Sequence, residues 1–98
     1  MASFTLGSDV YLEFKVKVSK RAALIVSASG ELYHNDTFLR DFPAQYLGSK
    51  VTSLIDGKAF TTVGDYVAKF SVNLDGMGKH EHAIPFKITK SVLGRKRQ

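Results

Sequence analysis

Two closely spaced histidines, His80 and His82, are the side chains best suited to chemistry in this 98-residue chain. Residues i and i+2 of a β-strand point to the same face, so both imidazoles could meet one metal ion, with His34 or a carboxylate as a third ligand. The same two histidines share the register of Ile84 and Phe86, which places them at the end of a core-facing stripe. We therefore expect no metal and no cofactor, and a pH-sensitive contact is the stronger alternative.

Catalysis has no local signature in the sequence. A nucleophile–base–orienter set is recognised by geometry, and no G-x-S-x-G motif marks a nucleophile. The acids lie mostly at turns, such as Asp36, Asp56 and Asp75, where backbone hydrogen bonding explains them. The glycine pair Gly76 and Gly78 is too short for a phosphate loop and precedes a strand rather than a helix. We expect a protein that is not an enzyme.

Charge is concentrated at the C-terminus. The net charge is +5, and residues 87–98 contain five cations and no acid, so the remaining nine bases balance the nine acids. The basic residues that could contact nucleic acid through phosphate charge are Lys15, Lys17, Lys20, Arg21, Lys90, Arg95, Lys96 and Arg97.

Cysteine is absent, which excludes disulfides and thiolate zinc sites. No signal peptide is visible, and no apolar run approaches the roughly 20 residues of a membrane helix. We expect a soluble chain with no membrane contact, either cytoplasmic or virion-associated. Its length suits one domain over residues 1–90, followed by a basic tail over 91–98.

Alternation of apolar and polar residues dominates the pattern. The apolar residues of the first run are every second residue from Val10 to Val18, and a second run extends from Tyr66 to Leu74. A period of two predicts strands with one buried face. The glycine-rich turn after the second run and a third alternation from Ile84 to Ile88 predict a β-hairpin, with Pro85 at an edge or a bulge.

The middle of the chain is less regular. Asn35-Asp36 is a turn candidate, and residues 38–48 read as a loop or short irregular strands. We predict a strand at Val51–Ile55 and another short one at 59–63. About seven strands suit an antiparallel two-layer sandwich, with a small OB-like or SH3-like barrel as the alternative.

Gly64-Asp65-Tyr66 resembles the immunoglobulin-like superfamily, in which a Gly-x-Tyr often opens the penultimate strand. The resemblance implies that the tyrosine hydroxyl bonds back to the preceding corner. Ala68 stands where antibody domains have a cysteine, and tryptophan is absent. The chain therefore resembles cysteine-free members of the filamin-like or bacterial and phage immunoglobulin-like kind, and the last hairpin is similar to theirs.

From these features we predict a non-catalytic protein-interaction or assembly module, such as a phage or virion component. The partner would be another protein or a second copy of the chain, bound at an exposed sheet edge or face. The predicted contact residues are Phe38, Phe42, Tyr46, His80, His82 and Pro85. The alternative function is a nucleic-acid-binding barrel that uses the basic residues named above.

Overall fold

Residues 1–19 and 21–90 are described by the computed structural model, which consists of β-strands joined by short turns. The strands are β1 (Ala2–Thr5), β2 (Val10–Lys15), β3 (Lys17–Val18), β4 (Arg21–Ala22), β5 (Ile25–His34), β6 (Thr37–Phe42), β7 (Gln45–Leu47), β8 (Lys50–Ile55), β9 (Gly64–Leu74) and β10 (Gly78–Thr89). A single 3-10 turn, Gly57–Ala59, lies between β8 and β9.

Two sheets form the two layers of a sandwich. The larger sheet has the order β1-β10-β9-β5-β6, and the smaller one has the order β2-β8-β7. A separate two-stranded ribbon, β3-β4, follows β2. All pairings within the sheets are antiparallel except that of β1 with β10, which is parallel. The predicted all-β sandwich is confirmed, and the barrel alternative is wrong because the sheets do not join into one closed ladder.

The alternating runs place most of their apolar residues in the core as predicted, although the first run is interrupted at Val16 and its Val18 is only half-buried, in β3. In β9 every second side chain from Tyr66 to Leu74 is buried. Val10 and Leu12 are buried in β2, whereas Phe14 is only half-buried. Phe86 and Ile88 of β10 are buried as well. The inner faces of both sheets therefore pack against each other to form one continuous apolar core.

Two hairpin turns follow from their residue types. Asn35 and Asp36 both have positive φ, 50° and 67°, and connect β5 to β6 in a two-residue turn. Asparagine and aspartate tolerate this backbone conformation, so the predicted turn is confirmed. The predicted hairpin of β9 and β10 is also confirmed, with Gly76 at φ 73° in its loop.

The middle of the chain agrees with expectation in one place and departs from it in another. Residues 38–48, predicted as a loop or short irregular strands, contain most of β6, which has a β-bulge, and all of the three-residue β7. The short strand predicted at 59–63 is wrong, because Gly57–Ala59 forms the 3-10 turn and Asp56 caps it by accepting a hydrogen bond from the Lys58 N–H at 2.9 Å. Within the described residues, no helix is long and apolar enough to span a membrane.

Candidate interaction surfaces

Tyr66 ties the start of β9 to the corner that precedes it. Its hydroxyl donates a hydrogen bond to the Thr62 carbonyl at 2.7 Å, and the Thr62 Oγ1 lies 3.3 Å from the same hydroxyl. The ring is 2% exposed and stacks on His34 with centroids 4.3 Å apart. A tyrosine bonded to the backbone a few residues upstream, at the start of this strand, is the tyrosine corner of immunoglobulin-like domains.

Strand order supports the same class. The order β10-β9-β5-β6 corresponds to the G-F-C-C′ arrangement, and β2-β8-β7 to B-E-D. Together with the tyrosine corner, this order defines an immunoglobulin-like β-sandwich.

Comparison with known proteins gives one similar solved structure and no more specific assignment than this class. Among solved structures, the chain is similar to a chimeric titin Z1Z2 functionalized with a KLER exogenous peptide from decorin. The similarity has a TM-score of 0.48 and 16% sequence identity, and it covers 93% of this chain and 87% of that chain. No family model and no curated protein matches the sequence.

A row of apolar side chains crosses the outer face of the larger sheet. Tyr33 of β5 is level with Phe38 of β6 and with Val67 of β9, and Val67 is level with Pro85 of β10. The Tyr33 and Phe38 rings meet edge to face at 5.7 Å, and Phe38 is 49% exposed. We call Phe38, Tyr33, Val67 and Pro85 the apolar row. It brings together two predicted contact residues, Phe38 and Pro85, that are distant in sequence.

A β-bulge explains why Phe38 lies outside while Phe42 lies inside. The two residues are four apart and would share a face in a regular strand. However, Leu32 pairs with Arg40 and Tyr33 pairs with Phe38, so Leu39 is an extra residue in β6. Because of this extra residue, the side chains before Leu39 point to the opposite face from the one that a regular strand would give them. Phe42 is 6% exposed and packs on Phe70 at 5.3 Å. Its predicted contact with a partner is therefore withdrawn, because the side chain belongs to the core.

Tyr46 connects the two sheets. It lies on β7 at the end of the smaller sheet, and its hydroxyl donates to the Val26 carbonyl of β5 at 2.6 Å. The side chain remains 43% exposed. Its position is explained by this bond, and any contact with a partner stays a prediction.

Tyr33 and Val67 were missed by sequence reasoning. Val67 carries the one available signal, since it is a valine in the otherwise polar half of the second alternating run. Tyr33 has no such signal, because its facing depends on the pairing of β5 with both neighbours.

Charges around the apolar row nearly cancel. By register and burial, the outer face presents three lysines and four carboxylates, which are Lys69, Lys79, Lys87, Glu31, Asp41, Asp65 and Glu81. Several of them are paired: Lys79 lies 3.6 Å from Glu81 and Lys87 3.9 Å from Asp65. The face is therefore close to neutral and presents both signs.

Tyr33 is held by its charged neighbours. Its hydroxyl donates to Glu31 at 3.0 Å, and the Lys69 ammonium lies 4.7 Å from its ring centroid. The hydrogen bond to Glu31, followed by partial desolvation and nearby carboxylates, raises the pKa of Tyr33 above its usual value. The bond to Glu31 therefore fixes the orientation of the phenol.

The histidines do not form the three-ligand arrangement that was considered as an alternative. His82 is level with Phe70, whereas His34 is level with Tyr66, four residues away on β9. At about 3.3 Å per residue these positions are roughly 13 Å apart along the strand. Among the described residues, no group of three His, Cys, Asp or Glu side chains could hold a metal ion. His34 is therefore too far from His82 to complete a site with it.

His82 packs at the rim of the core, in the register predicted for it. Its ring stacks on Phe14 of β2 with centroids 4.2 Å apart and an interplanar angle of 17°. Desolvation, and to a lesser extent the charge of His80, lowers the pKa of His82 below its usual value. His80 itself is exposed.

The predicted basic residues are only partly within the described chain. Lys15, Lys17 and Lys90 are exposed, and Lys15 is level with Lys50, which forms an ion pair with Glu13 at 3.6 Å. The remaining residues, Lys20, Arg95, Lys96, Arg97 and the Arg21 side chain, lie outside the described residues.

Proposed function

We propose that this chain is a non-catalytic protein-binding module whose contact surface is the outer face of the larger sheet, centred on the apolar row. The observation that carries the proposal is the alignment of Phe38, Tyr33, Val67 and Pro85 across four strands. Aromatic residues surrounded by polar ones are typical of the energetic centre of protein interfaces. An exposed sheet face with one polar-rimmed apolar row is typical of such an interface.

The balance of charge favours a protein over a nucleic acid as partner. Single-strand binders also present aromatic residues on a sheet, but they combine them with a positive groove along the backbone. Here the aromatic Tyr33 and Phe38 lie among more carboxylates than lysines. A protein surface of mixed charge complements this face better than a polyanion does.

Substitution at the centre of the row tests the proposal. Once a partner is captured from native lysate and identified, Val67→Lys should weaken its affinity at least about tenfold, as expected for a central contact residue. The matched control is Leu54→Lys, since Leu54 is an exposed apolar residue, 59% exposed, on the outer face of the smaller sheet. Equal affinities for both variants and the native chain would contradict the proposal.

Nucleic-acid binding through the basic residues, which was predicted as the alternative, has a separate test. If that function is correct, retention on a polyanion column should fall steeply with salt, and truncation of residues 90–98 should abolish it. We expect only weak retention on this column, and we expect it not to depend on the residues of the outer face. A role in a virion or other assembly stays a prediction that depends on the sequence resemblance alone.

A further inference from the structure

The outer edge of β10 is only half covered. β1 pairs with it from Ala2, level with Phe86, to Thr5, level with Thr89. Among the described residues, no strand pairs with this edge between Gly78 and Pro85, although β9 pairs with the opposite edge along the whole stretch. The β1 line therefore ends halfway along β10.

The hydrogen bond between Thr89 and β1 shows which N–H and C=O groups of β10 point to the uncovered edge. The Leu6 N–H donates to the Thr89 carbonyl at 2.7 Å, so the main-chain groups of Thr89 point toward β1. Every second residue of a strand directs its groups to the same side, and the β9 register runs unbroken from Gly78 to Ile88. Lys79, Glu81 and Ala83 therefore direct both N–H and C=O to the uncovered edge. The Pro85 carbonyl faces Ala2 at the end of β1, and the lack of an N–H at Pro85 does not interrupt the β9 ladder.

The inner side of this uncovered stretch carries Ile84, His82 and His80, and its apolar part lies next to β1. Where β1 is present, its inward-facing Phe4 packs on Phe86 with ring centroids 5.7 Å apart. Beyond the end of β1, Ile84 is only half-buried, and so is Phe14 on β2, which is an edge strand of the smaller sheet. These two side chains and the His82 ring that stacks on Phe14 lie partly exposed at the rim of the core.

We propose that the Lys79–Pro85 edge accepts an added β-strand from another protein, one that continues the line of β1 and has apolar side chains at alternate positions. The backbone groups would supply the ladder, and the alternate side chains would cover Ile84 and Phe14 as Phe4 covers Phe86. This site lies along the edge of the sheet, whereas the apolar row lies on the outer face, and the two share only Pro85. Proline and charged residues also occur on edges that are protected from pairing, so Pro85, Lys79 and Glu81 define the opposing hypothesis.

A tethered strand separates the two hypotheses. The segment Thr-Val-Thr-Val-Thr-Val, placed directly before Met1, puts its valines level with Ile84, His82 and His80. Because the segment is attached to the chain, its effective concentration at the edge is high, and the affinity of a free strand need not be known. Amide exchange measured by NMR should slow at least about tenfold at Glu81 and Ala83, whose N–H groups face carbonyls of the added segment. A Gly-Ser-Gly-Ser-Gly-Ser segment serves as the matched control, and the amides of His82 and Ile84 should not change because they already face β9.

Two proline variants check the geometry. Ala83→Pro removes an N–H that faces the open edge, so it should keep the fold but abolish the protection at Glu81. Ile84→Pro removes an N–H that faces β9 and should lower the melting temperature strongly. The inference is overturned if the valine segment protects neither Glu81 nor Ala83, or protects Glu81 equally in Ala83→Pro. Val67→Lys should leave the protection intact, which distinguishes failure here from failure of the proposed function.

Discussion

The tyrosine corner offers the sharpest test of how the fold is held together. Tyr66→Phe removes only the hydroxyl that donates to the Thr62 carbonyl at 2.7 Å and leaves the ring in its packed position. A neutral hydrogen bond contributes about 0.5–1.5 kcal/mol net to stability. Thr62 is exposed, so water can replace the lost donor at its carbonyl. We therefore expect a loss of about 1 kcal/mol in the free energy of unfolding.

The ring itself should matter more than its hydroxyl. It is 2% exposed and packs edge to face on Phe60 at 5.1 Å, with His34 stacked on it. Truncation of a large buried aromatic side chain removes transfer energy and leaves a cavity, at a cost of about 3–5 kcal/mol. Tyr66→Ala should therefore be several times more destabilising than Tyr66→Phe.

Equilibrium unfolding in urea measures both changes, through a shift of the midpoint at an unchanged slope. In a chain of this size, about 1 kcal/mol corresponds to roughly 4–8 °C in the melting temperature. Tyr33→Phe is the matched control, because its hydroxyl bonds to Glu31 on the exposed face and its loss should be within about 0.5 kcal/mol of neutral. The reasoning is refuted if Tyr66→Phe is as stable as Tyr33→Phe, or as unstable as Tyr66→Ala.

Two further substitutions test the core and its rim. A Cβ at Gly30 would overlap the Phe42 ring, so Gly30→Ala should destabilise by about 1–3 kcal/mol in urea unfolding, whereas its exposed neighbour variant Ser29→Ala should be near neutral. The lowered pKa of His82 means that the unfolded chain binds this proton more readily, so stability should fall as the pH falls from the unfolded value of about 6.5 through the folded pKa. The melting temperature of His82→Gln should depend less on pH in this window, and an unchanged pH dependence would exclude His82 as its source.

The alternation of apolar and polar residues was sufficient to predict which side chains are buried in strands that have one exposed face and one buried face. The alternation from Tyr66 to Leu74 could be assigned to the core from the sequence, because a one-residue slip would expose all of its apolar side chains. The same reasoning placed His82 in the inward register and Pro85 at an edge. Gly-x-Tyr at residue 66 indicated the corner that the Tyr66 hydroxyl forms.

Facing in the middle of the chain could not be predicted in this way. Phe38 and Phe42 have the spacing of two residues on one face, yet the extra residue at Leu39 puts them on opposite faces. That bulge depends on how β5 and β6 pair, so no pattern within β6 alone contains it.

By itself, therefore, the sequence determined that the alternating runs of β2, β9 and β10 have a buried face, because the two-residue period of an extended backbone is local. Tertiary pairing decided that Phe38, Tyr33, Val67 and Pro85 form one row across four strands. It also decided that β1 pairs with β10 in parallel, with Ala2 level with Phe86. Both arrangements depend on register between distant segments, and register is set by the packing of the whole sheet.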